Sequence, residues 1–104
     1  SADPRMAAIR DYIKVEGNLK ATTAALDKAN QNVTDTKKTL DDLVAEKAAL
    51  EAQSPPPSDL QTQLDALNQK IGVICDWMVL FACIISGGNI DRAVVDRILK
   101  GEVP

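Results

Sequence analysis

The chain contains no histidine. That removes the side chain most often used as a general base near neutral pH, and the commonest metal ligand. No nucleophile–base pairing, phosphate-cradling glycine loop or Cys-x-x-Cys pair takes its place. Paired carboxylates such as Asp41-Asp42 fall on a charged helix face, where water solvates them. With the usual catalytic roles unfilled, the expectation is a non-enzymatic protein with no catalytic residue, no metal and no cofactor.

Aromatic side chains are nearly missing as well: Tyr12, Trp77 and Phe81 are the whole set, 3% of the residues. Thick layered cores are usually filled with rings, whereas Leu, Ala and Val suffice for the seam between paired helices. Concentrated positive charge is also lacking. The 12 basic and 15 acidic residues leave a net charge of −3, and residues 1–53 hold 8 basic against 9 acidic groups. A nucleic-acid surface needs a basic stripe to release counterions, or rings on which bases stack. Nucleic acid is therefore excluded as a partner.

Cysteine occurs twice, at Cys75 and Cys83. Eight residues apart on one helix, the two lie about 12 Å apart along its axis. A disulfide needs Cα atoms within about 7 Å, so the pair reads as two buried thiols acting as small apolar side chains. Such thiols suit a reducing, cytoplasmic compartment. Nothing near the N-terminus has the form of a signal peptide. Met6-Ala7-Ala8 reads as a natural start, and Ser1–Arg5 are expected to be foreign to the native chain.

What is present is helical periodicity. Asp3-Pro4 supplies an N-cap acceptor followed by proline at the first helical position. A heptad then runs through Tyr12, Leu19, Leu26, Val33, Leu40 and Lys47, with Val15, Thr22, Ala29, Thr36, Leu43 and Leu50 as its companion set. This alternating spacing predicts one long helix over 6–53, with Gly17-Asn18 as its one weak point. Ser54-Pro55-Pro56-Pro57-Ser58 ends it by removing three amide donors, and Ser58 is placed to cap a second helix over 59–86.

That second helix carries Leu60, Leu67, Ile74 and Phe81 on one heptad set and Leu64, Ile71, Met78 and Ile85 on the other. Folded back across the prolines, it sets Leu60 against Leu50, Leu67 against Leu43, and Phe81 over Ala29. Large side chains meet small ones, as interdigitated packing requires. Ser86-Gly87-Gly88-Asn89 then breaks the helix. A short third helix over 90–100 follows, apolar at Ile90, Val94 and Ile98, and it is placed to cover the first helix's N-terminal half. The fold class is all-α: a single helical domain over 1–104, built as a long antiparallel, coiled-coil-like hairpin with a short C-terminal helix.

Residues 71–85 are apolar on nearly every side. One partner helix cannot cover them, and each large side chain left wet forfeits about 1.5–3 kcal/mol. A helix apolar all round must be buried all round. The expectation is self-association into an oligomeric bundle through Ile71, Ile74, Trp77, Met78, Leu80, Phe81, Ile84 and Ile85, as a scaffold or adaptor whose partner is another copy or another helical protein. Asp76, inside the run, needs a partner such as Lys37 or Lys38. Two other functions compete. Ser86, Gly87, Gly88, Asn89 and Arg92 have the composition of an anion site at a helix N-terminus, suited to a nucleotide-like ligand at a subunit boundary; a plain helix–helix turn with Asn89 as N-cap is the favoured reading, because Gly-Gly before a helix carries no phosphate-specific pattern. A membrane-active role for 71–85 is disfavoured, because fifteen residues span about 22 Å, short of a hydrocarbon core of about 30 Å.

Overall fold

The computed structural model describes residues 3–16 and 22–104, the side chains of 14–16 excepted. Every regular element among them is a helix: α1 (Pro4–Glu16), α2 (Thr23–Glu51), α3 (Leu60–Ser86) and α4 (Arg92–Lys100). Local chemistry sets most of the ends. The Asp3 carboxylate accepts the Arg5 amide at 2.9 Å and starts α1 at Pro4. The Thr22 hydroxyl accepts the Ala25 amide at 3.1 Å and starts α2. Ser58 is not the cap of α3: Asp59 holds that position, and its carboxylate accepts the Gln63 side-chain amide at 2.7 Å. Gly87 closes α3 at φ 71°, a left-handed conformation that costs other residues roughly 1–2 kcal/mol.

α2 and α3 run antiparallel from the proline turn. Near that turn one groove is flanked by Glu46, Ala49 and Leu50 of α2 and Gln63, Ala66, Leu67 and Lys70 of α3. Far from it, Ala29 shares a buried cluster with Phe81 and Ile84. After Gly87 the chain reverses, and α4 returns along α3 until Glu102 reaches Trp77. α1 lies antiparallel to α4: the Tyr12 hydroxyl accepts the Ile90 amide at 3.3 Å, and Arg5 donates to the carbonyls of Leu99 and Gly101 at 3.3 and 2.8 Å. α4 therefore lies on the N-terminal segment, with Ile90 at Tyr12. α1 is thus parallel to α3 and antiparallel to α2.

These directions correct the single long helix expected over 6–53. A straight helix of that length would span about 70 Å, yet the longest dimension of the molecule is 55 Å. The chain doubles back between α1 and α2. Gly17-Asn18, the weak point in the periodicity, lies outside the described residues.

The reversal supplies the cover that α3 needs. One core joins Ala8, Ile9 and Tyr12 of α1, Ala29 of α2, Trp77, Leu80, Phe81 and Ile84 of α3, and Val95 and Ile98 of α4. Four helices surround that core. Beyond it, toward the prolines, only α2 and α3 continue among the described residues, with Leu50 and Leu67 buried there. The molecule has a waist where four helices become two. Asp3 and Arg5, expected to be foreign to the native chain, are part of this structure, since Arg5 ties α1 to the end of α4.

Candidate functional site

Of the eight residues expected to drive self-association, Ile74, Trp77, Leu80, Phe81 and Ile84 are buried within their own chain, none more than 4% exposed. α1 and α4 cover what the sequence leaves apparently uncovered. Trp77 packs on Phe81 with ring centroids 5.6 Å apart, and its indole N–H donates to the Glu102 carbonyl at 3.3 Å. The premise that a second copy must shelter these five side chains is therefore wrong. The third and fourth layers come from the same chain.

Ile71 and Met78 are half-buried and Ile85 is 38% exposed. They border a face that the eight did not include. Gly72, Cys75, Val79 and Ala82 recur at three- and four-residue spacing and are all exposed, Val79 by 44%. Together the seven positions form an apolar strip about 21 Å long on α3, and at Gly72 and Cys75 it borders Arg97, Lys100 and Gly101 at the end of α4. The heptad positions Leu26, Val33 and Leu40 on α2 are half-buried, and Val44 one turn further is exposed. Val33 packs against the core, and Val44 is the one of the four left open, 51% exposed. The spacing of 72, 75, 79 and 82 was available in the sequence, and it marks the outward side once the inward side is known.

Asp76 stands at one edge of this face. Its carboxylate takes both Nε and Nη2 of Arg97 from α4, each at 2.9 Å. This two-pronged contact replaces the expected pairing with Lys37 or Lys38, and Lys38 instead meets Asp42 one turn along its own helix at 2.9 Å. The Asp76 carboxylate raises the pKa of the Arg97 guanidinium above its ordinary value. The pair lies partly in water, which screens its contribution to stability. Its geometric role is to set the position of α4 on α3.

The chain matches no family model, no curated protein and no solved structure.

The glycine turn does not form the expected anion site. Gly87 caps the C-terminal end of α3, the negative end of that helix dipole. The Gly88 amide is already turned toward the Ser86 hydroxyl at 3.3 Å. α4 begins only at Arg92, and the Asp91 carboxylate accepts the Ala93 amide at 2.8 Å. A carboxylate of the chain itself occupies the place where an anion would sit. Arg92 extends into solvent near Asp96. Ser86, Gly87, Gly88, Asn89 and Arg92 do not converge.

The two thiols differ in setting. Cys75 is exposed on the apolar strip, contrary to the expected burial, while Cys83 is half-buried. Burial pushes the Cys83 thiol pKa up. Among the described residues, no three His, Cys, Asp or Glu side chains gather closely enough to hold a metal ion. α3 itself is 27 residues long, and by length and composition it is apolar enough to cross a membrane. Of its most apolar stretch, 28% is buried inside the molecule.

Proposed function

We propose that this chain is a non-enzymatic interaction module that pairs with a second copy of itself through the outer face of α2 and α3. The observation carrying this reading is the apolar strip of Gly72, Cys75, Met78, Val79, Ala82 and Ile85, left open after α1, α2 and α4 have packed. A contiguous apolar face of this kind on a small protein marks a contact surface. Small residues along its centre let another helix approach closely. A two-fold pairing would lay the α2–α3 hairpin of one copy on that of the other, in coiled-coil-like packing, and would match the strip to itself. Faces of this length and two helices' width bury roughly 1,000 Å² in total, the lower bound for a specific interface. The role is that of a scaffold or adaptor, cytoplasmic in keeping with the free, exposed Cys75.

Val79→Asp tests this reading, because Val79 lies outside the core and the variant should keep its fold. Light scattering across a concentration series should give a dimer or larger species for the wild type and a monomer of equal helicity for Val79→Asp. A wild-type chain that stays monomeric to millimolar concentration refutes self-association. Flotation of that monomer with lipid vesicles would assign the strip to a membrane surface instead.

A further inference from the structure

We propose that the groove between α1 and α2 is a binding site for a small amine carrying an aromatic or branched apolar group. This site is separate from the outer face of α3 and lies on the opposite side of the molecule. α1 and α2 both pack on the four-helix core, yet they do not close against each other. Between them is a groove with a volume of about 260 Å³. Its walls are lined by Ala7 and Ala8 of α1 and Ala25 and Ala29 of α2, side chains too short to bridge the gap. Its floor is Trp77, Phe81 and Ile84 of α3. Bundle proteins build ligand sites in such places, between helices that hold one another apart.

Size and charge select the occupant. A cavity of about 150 Å³ holds one benzene ring, so this groove takes a ring with a short carbon chain. Three charged side chains line it: Asp11 of α1, and Lys28 and Asp35 of α2. Two carboxylates against one ammonium leave the groove negative. Lys28 is exposed while Asp11 is half-buried, so the less screened charge is the anionic one. Carboxylates on the walls and rings beneath them both favour a cation, the first by charge-assisted hydrogen bonds and the second through the negative ring face. An anionic ligand of the same shape meets Asp11 and is repelled.

Trp77 is the sole tryptophan and lies in the floor, so its fluorescence reports occupancy directly. The probes are 4-phenylbutylamine, 4-phenylbutan-1-ol and 4-phenylbutanoate, which share one apolar body and differ in the head group. The amine should change Trp77 emission saturably, with at least about ten-fold tighter binding than the alcohol, and the acid should bind weakest of the three. Asp11→Asn should bring the amine down to the affinity of the alcohol. Asp41→Asn, on the charged face of α2 outside the groove, should change nothing. Circular dichroism checks that both variants retain their helices. The proposal is overturned by the absence of a saturable response to the amine up to millimolar concentration. It is equally overturned if the acid binds as well as the amine, or if Asp11→Asn leaves the amine affinity intact.

Discussion

Ile9 and Ile13 lie one helical turn apart on α1 and are chemically identical, yet Ile9 is 9% exposed and Ile13 is 59% exposed. Ile9 belongs to the four-helix core with Trp77 and Leu80. Removing three carbons from a buried isoleucine costs about 2–5 kcal/mol, from lost transfer energy and from the cavity left behind. The residual exposure of Ile9 favours the lower half, so Ile9→Ala should cost about 2–3 kcal/mol. At about 4–8 °C per kcal/mol for a domain of this size, the melting temperature should fall by about 10–20 °C. Ile13→Ala removes the same atoms from solvent and should stay within about 0.5 kcal/mol of wild type. Urea unfolding followed by circular dichroism measures both. If α1 instead continued straight out of α2, Ile9 would lose Trp77 and Leu80 as neighbours and its loss would cost far less. Equal unfolding midpoints for the two variants would refute the reversal of the chain between α1 and α2.

Three further expectations follow from the same geometry. A Cβ at Gly72 meets nothing within 4 Å, so Gly72→Ala should stabilise α3 by roughly 0.5–1 kcal/mol in the monomer; if a second copy packs closely there, scattering should show weaker association despite the stabler fold. Cys75 should react quickly with a thiol reagent and Cys83 slowly, because the reactive species is the thiolate and burial raises the Cys83 pKa; the Cys75 rate should fall as protein concentration rises. The Asp3 carboxyl is held below its ordinary pKa of 3.8, chiefly by hydrogen bonds from the Arg5 side chain and backbone. A depressed carboxylate stabilises the fold fully above its unfolded pKa and loses that contribution as pH falls through the folded value. Unfolding midpoints measured between about pH 2 and 5 should therefore fall less steeply for Asp3→Asn than for wild type.

The helices were legible in the sequence far better than their neighbours were. Asp3-Pro4, the three prolines and Gly87 mark helix ends through backbone chemistry that acts locally, and α1 starts and α2 and α3 stop at those places. Ala29 and Phe81 share one buried cluster, a small side chain beside a large one. Periodicity names the buried side of a helix but not the element that buries it. Residues 71–85 show more apolar sides than one helix covers, and two different assemblies satisfy that pattern: more copies, or more helices from one chain. Choosing between them needed the reversal before α2, where a heptad traceable from Tyr12 to Leu50 concealed a change of direction. Asp76 illustrates the same limit. Its need for a cation was plain, but Arg97, 21 residues away, comes into reach only once α4 is laid antiparallel on α3.

The Arg5 guanidinium bridges Asp3 to the carbonyls of Leu99 and Gly101, so one side chain fastens the beginning of the chain to its end. Residues 3–5 and 99–101 consequently lie together, and the proline tip points away from them. A partner held at these segments would sit at the base of the α2–α3 extension, leaving the tip unobstructed. A short linker from residue 101 to residue 3, with a break at the prolines, would leave the core helices in their places.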